Sequence, residues 1–306
     1  MTVEARLLDH VLSSHQFDRA LIGEVVARAR ALEGVRDDRL RGRIMATLFY
    51  EPSTRTRLSF ESAMLRLGGS VIGTEAAREF SSAIKGETIE DTVRMVESYA
   101  DVIVLRHDRA GAARAAAAVS SVPIVNAGDG PAEHPTQALL DLYTIDREVG
   151  RLDDLRVAFC GDLRYGRTAR SLVLLLSQFP GLRLTFVAPA VVQMGADILA
   201  LLDAREVPWT TTDRLADVAA DFDVLYQTRI QKERFENPAE FAEARGDTRV
   251  DAALLKRLRP DAVILHPLPR VDEIAPEVDA DPRAAYFRQA RNGVAVRMAL
   301  LEMLLA

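Results

Sequence analysis

Cysteine is almost missing: Cys160 stands alone in 306 residues, so no intrachain disulfide can form. Clustered Cys/His ligands for a structural zinc are also lacking, and the expected metal complement is none. That poverty suits a reducing, cytoplasmic setting. Long apolar runs are missing too. The longest aliphatic run, Leu172 to Leu176, is far too short to span a bilayer, and the opening Met1-Thr2-Val3-Glu4-Ala5-Arg6 leads into a charged amphipathic stretch. The expectation is a chain with neither export signal nor membrane anchor. An excess of positive charge is lacking as well. With 39 basic against 45 acidic residues the formal net charge is −6, and no Lys/Arg block forms a phosphate-tracking stripe, which argues against nucleic acid as a partner. What is present is ordinary globular material: 48% apolar and 27% charged residues with 17 Gly and 13 Pro, long enough for about two domains.

Apolar runs of strand length recur at Ile44–Tyr50, Val102–Leu105, Pro123–Asn126, Arg156–Cys160, Leu184–Val187, Asp223–Gln227 and Ala262–Leu265. Segments of helical periodicity follow them. Phe60, Met64 and Leu67 form one stripe, and Ile89, Val93, Val96 and Ala100 another, both read as core. This alternation predicts an α/β protein of βαβ units with parallel strands. A helix opened by His134-Pro135-Thr136 carries Leu139, Leu142, Ile145 and Val149 and stops at Gly150, where the domain junction is expected. A last helix, Asn292 to Ala306, presents Val296, Leu300 and Leu304 on one face and must pack somewhere.

Ligands of open parallel sheets bind beyond the carboxyl ends of the strands. Five of the seven strand candidates run into polar groups there. Ser53-Thr54-Arg55-Thr56-Arg57 lies between a strand and a helix with Ser53 at the N-cap position, where free N–H groups, hydroxyls, the helix dipole and Arg55 would suit a phosphate. A plain capped helix with solvated arginines accounts for the same pattern. Arg106-His107 follows the second strand, Thr228-Arg229-Ile230-Gln231 the sixth and His266-Pro267-Leu268-Pro269-Arg270 the seventh. Gly161-x-x-x-x-Gly166-Arg167-Thr168 has P-loop spacing, but Arg167 stands where a nucleotide-binding loop needs lysine; Arg164 and Arg167 read instead as carboxylate clamps or solvated charges. His134 and Gln137, three residues apart at a helix start, can face one point, although a lone histidine is often structural.

Taken together, Phe49-Tyr50-Glu51-Pro52-Ser53-Thr54-Arg55-Thr56-Arg57-Leu58-Ser59-Phe60-Glu61, Arg106-His107, His134-Pro135-Thr136-Gln137 and His266-Pro267-Leu268-Pro269-Arg270 resemble the carbamoyltransferase family over nearly the whole chain. Thr136 and Pro267 stand where ornithine-specific members carry cysteine, so the aspartate branch is the closer resemblance. The resemblance implies two doubly wound parallel-sheet domains joined by helices: residues 1–145 with 292–306 returning to them, and residues 146–291. It implies transfer of the carbamoyl group of carbamoyl phosphate to L-aspartate, the committed step of pyrimidine synthesis in that family, with no cofactor.

Residue by residue, the resemblance assigns Ser53, Thr54, Arg55 and Thr56 to the phosphate and Arg106 to both phosphate and carbonyl oxygen, which His134 and Thr56 also address. Gln137 and the carbonyls of Pro267 and Leu268 receive the carbamoyl NH₂, with the Leu268–Pro269 peptide cis. Arg167 and Arg229 grip the aspartate carboxylates, assisted by Gln231. Ser81 and Lys85 match a loop that reaches the neighbouring subunit's site, which implies a homotrimer with shared active sites; regulatory or dihydroorotase partner chains are left open. Arg57 is expected in a structural ion pair with Glu51.

Overall fold

The computed structural model describes residues 8–75, 77 and 82–306. The chain divides into two compact units, one comprising Met1–Leu139 with Arg291–Ala306, the other Leu140–Ala290. In the first, β1 (Ile44–Phe49), β2 (Ser70–Glu75), β3 (Val102–His107) and β4 (Ile124–Asp129) form a parallel sheet in the order β2-β1-β3-β4. In the second, β5 (Arg156–Cys160), β6 (Arg183–Val187), β7 (Trp209–Thr212), β8 (Val224–Gln227) and β9 (Val263–Leu265) form another in the order β7-β6-β5-β8-β9. Both orders start from an inner strand and wind outward in both directions, the doubly wound α/β pattern that the sequence predicts.

Burial follows the layering. Met45, Val102, Ile103, Val104, Ile124 and Val125 are buried in the first sheet, as are Val157, Ala158, Phe159 and Leu225 in the second, as expected of parallel sheets, whose faces are covered. The predicted stripes are core: Phe60, Met64 and Leu67 are fully buried, and Ile89 and Val93 pack beneath the first sheet. Each such side chain contributes about 1.5–3 kcal/mol on burial.

Two strands escaped the sequence reading. β2 and β7 each lie at one edge of their sheets; β2 carries Gly73 in its middle, and β7 is Trp209-Thr210-Thr211-Thr212 with two exposed residues, so neither shows an apolar run. The C-terminal helix also begins earlier than its apolar stripe, spanning Tyr286–Leu305, because Tyr286–Arg291 is too mixed to show periodicity. Val296, Leu300 and Leu304 are buried, Arg297 lies 4.9 Å over the Phe60 ring, and Glu302 pairs with Arg28 and Arg39, all within the first unit. No helix among the described residues is long and apolar enough to cross a membrane.

Candidate active site

In the first unit the winding direction reverses between β1 and β3, where Phe49 pairs with Arg106. Ligand crevices of such sheets open at that reversal. β1 runs into the helix Thr54–Arg66 with Ser53 at its N-cap, and the Ser53 hydroxyl makes no capping bond of its own. Arg55 stands exposed in the first turn, and partial loss of water lowers its pKa without threatening its charge. Thr56 is buried. Arg106, next to last in β3, is close by in register, its guanidinium 3.4 Å from both the Ala127 carbonyl and Glu51. Helix N-terminus, hydroxyls and two guanidinium groups therefore belong to one strand edge.

Arg57 and Glu51 each have a partner besides the one expected. Arg57 pairs with Glu61 at 2.8 Å, one turn along its own helix, while Glu51 faces Arg106. The i,i+4 geometry favours the first pair, and Glu51 is drawn to the guanidinium that the neighbouring strand presents.

His134 is 4% exposed and precedes the helix Pro135–Val149, with Gln137 half-buried one turn on. The loop before it is tightly held. Asn126 bonds Leu12 O at 2.8 Å and Asp129 at 3.2 Å, Asp129 accepts the Gly111 N–H at 3.0 Å, and Glu133 takes the Ser13 hydroxyl at 2.7 Å and the Ser14 N–H at 2.6 Å. These supports were not legible in sequence, since residues 12–14 and 126–133 meet only through the fold. Lys85 ends a short turn, Ser82–Lys85, and is exposed; Ser81 lies outside the described residues.

In the second unit the reversal falls at β5, flanked by β6 and β8. The loop after β5 leads from Gly161 to Gly166, the N-cap of the helix Arg167–Leu176, and Arg229 follows the adjacent β8 by two residues. Arg167 and Arg229, both half-buried, thus follow neighbouring strands. Gly161 has φ +105°, and a Cβ there would lie 2.2 Å from Thr228 O, so only glycine lets the two loops approach. Asp162 is fully buried beneath them; burial raises its pKa against the Tyr165 N–H at 2.9 Å and the Gln231 amide at 3.3 Å. Gln231 is therefore fixed by Asp162. After β9, the Leu268–Pro269 peptide is cis and Leu268 has φ +52°. Arg270 pairs with Asp279 and bonds the Tyr286 hydroxyl at 3.0 Å. Arg164 is exposed, reaching Val191 O at 3.4 Å and lying over the Tyr165 ring at 5.4 Å from its centroid. Among the described residues no group of three or more His, Cys, Asp or Glu side chains could hold a metal ion.

Two parallel-sheet α/β units, each with arginines and helix N-termini at its strand reversal, define an enzyme that handles anionic substrates. The models of the aspartate/ornithine carbamoyltransferase carbamoyl-P binding domain and Asp/Orn binding domain match residues 9–147 and 153–304, and the chain belongs to this transferase family. A Pisum sativum protein named aspartate carbamoyltransferase 1, chloroplastic, is 56% identical over 304 residues, which cover 97% of this chain and 79% of its own length. The aspartate carbamoyltransferase catalytic subunit of Methanocella arvoryzae is 50% identical over 300 residues, 97% of each chain. The solved structure of Trypanosoma cruzi aspartate transcarbamoylase in complex with N-(phosphonacetyl)-L-aspartic acid matches with a TM-score of 0.92 at 45% identity, covering 97% of this chain and 96% of that one.

Proposed function

We propose that this chain is an aspartate carbamoyltransferase, converting carbamoyl phosphate and L-aspartate into N-carbamoyl-L-aspartate and phosphate for pyrimidine synthesis in the cytoplasm. The observation that carries the choice of acceptor is the placement of Arg167 and Arg229 after adjacent strands β5 and β8. Two guanidinium forks match a dicarboxylate, whereas the extra ammonium group of ornithine would meet like charge.

In the reaction the aspartate amine attacks the carbamoyl carbon, a C–N bond forms, and the C–O bond to phosphate breaks. Negative charge grows on the carbonyl oxygen, and Arg106, His134 and Thr56 stabilise it; such donors act chiefly in the transition state. Ser53, Thr54, Arg55 and Thr56 hold the phosphate at the helix N-terminus. The leaving phosphate takes the amine proton, so His134 serves as a donor rather than a base. Gln137 with the carbonyls of Pro267 and Leu268 holds the carbamoyl NH₂, and Gln231, braced by Asp162, assists the two arginines. The active unit is a homotrimer in which Ser81 and Lys85 serve a neighbouring subunit's site; regulatory or dihydroorotase partner chains can join it.

N-(Phosphonacetyl)-L-aspartic acid joins a phosphonate, a carbonyl and an aspartate in one molecule, so it tests both half-sites together. Calorimetry should show binding that Arg106→Ala and Arg229→Ala each weaken by about a hundredfold or more, given charge-assisted hydrogen bonds worth about 1.5–3 kcal/mol each. Binding indifferent to Arg229→Ala would contradict the acceptor assignment.

A further inference from the structure

His266, 1% exposed, sits at the end of β9 with both ring nitrogens engaged. Its Nδ1 lies 2.8 Å from the Leu268 main-chain nitrogen. A main-chain N–H can only donate, so Nδ1 is the bare acceptor and the ring proton resides on Nε2. Nε2 then donates to Glu273 Oε1 at 2.7 Å, while Glu273 Oε2 accepts the main-chain N–H groups of Val271 and Asp272, each at 3.1 Å. The carboxylate is used only as an acceptor, and it fixes the tautomer of the ring.

The same short segment is gripped from its other end. The His266 N–H donates to Gln289 Oε1 at 2.8 Å, the Gln289 amide donates to Asp141 at 2.6 Å, and the Tyr226 hydroxyl donates to Asp141 at 2.7 Å. All these groups lie within the second unit, and Asp141, Tyr226, Gln289 and Glu273 are buried. Residues 267 and 268 are thus spanned by a locked imidazole.

We infer that His266, held by Glu273 in its Nε2–H form, is a positioning residue that aims the Pro267 and Leu268 carbonyls and so selects a donor bearing an NH₂ group. The inference rests on the carbamoyl-transfer reading. Main-chain carbonyls only accept. A carbamoyl NH₂ offers them two N–H donors, whereas the methyl group of acetyl phosphate offers none, although its phosphate and carbonyl are the same. Loss of the positioning device must therefore weaken one ligand and spare the other.

The test compares wild type with Glu273→Gln, His266→Phe and His266→Asn, measuring dissociation constants for carbamoyl phosphate and acetyl phosphate, with thermal melting as the control for folding. Gln at 273 must turn its NH₂ toward either His266 or the two main-chain N–H groups, a donor facing donors. Glu273→Gln and His266→Phe should weaken carbamoyl phosphate about tenfold and leave acetyl phosphate within about twofold, the loss of roughly one well-made hydrogen bond. In His266→Asn the Oδ1 branches from Cγ as Nδ1 does, so it can accept from Leu268 N–H and should restore much of the preference. Equal weakening of both ligands, or an unchanged preference in variants that remain folded, would overturn the inference. Wild type that binds carbamoyl phosphate but carbamoylates no L-aspartate would instead remove the functional reading while the ligand preference could still be scored.

Discussion

At the scale of single residues, charge placement decides the behaviour. Arg106 lies 3.4 Å from both Glu51 and the Ala127 carbonyl, contacts that hold its guanidinium at the end of the sheet. Arg106→Ala should lower kcat by roughly a hundredfold to a thousandfold, as expected for a lost oxyanion donor, with a smaller effect on the KM for L-aspartate. His134→Asn should also lower kcat while leaving the kcat pH profile in place; disappearance of an ionisation would show a base instead. Much of this was legible in the sequence, because Ser53–Arg57, Arg106, His134, Arg167 and Arg229 all follow strands or open helices. The partners were not. Glu51 with Arg106, Asp162 with Gln231, and Glu133 with Ser13 and Ser14 are paired by the fold, and sequence spacing carries no sign of them.

At the scale of elements, loops are held by close backbone approach and by ion pairs. Gly161→Ala would place a Cβ 2.2 Å from Thr228 O at φ +105°, forcing apart the loops that carry Arg167 and Arg229. Strain and overpacking together should cost about 3 kcal/mol or more, read as a lowered urea midpoint, and should raise the KM for aspartate ahead of that for carbamoyl phosphate. The segment after β9 titrates in a defined direction. Hydrogen bonds from Arg270 and Arg283 hold Asp279 and Asp281 below their ordinary value of 3.8. Their contribution is complete above pH 3.8, and it is lost as pH falls further, through the depressed folded values, because the unfolded chain binds protons first. Unfolding followed from about pH 6 to about pH 3 should show that loss, reduced in Arg270→Gln. Buried strands announced themselves by continuous apolar runs, the edge strands β4 and β9 included, whereas the partly exposed edge strands β2 and β7 did not.

At the scale of the whole molecule, two doubly wound sheets carry the two parts of the proposed chemistry: a helix N-terminus with Arg55 and Arg106 at the β1/β3 reversal, proposed for phosphate, and Arg167 and Arg229 after β5 and β8, proposed for the carboxylates. The proposed homotrimer with shared sites predicts complementation. Lys85→Ala and Arg106→Ala chains, each weakly active alone, should regain activity when dissociated and reassembled together; no recovery would assign Lys85 to its own chain or to the surface. The most direct test of the account is the rate of product formation by the purified chain with carbamoyl phosphate and either L-aspartate or L-ornithine. N-carbamoyl-L-aspartate and phosphate formed in equal amounts, with L-ornithine inert, is the predicted result; carbamoylation of L-ornithine in preference to L-aspartate would contradict it.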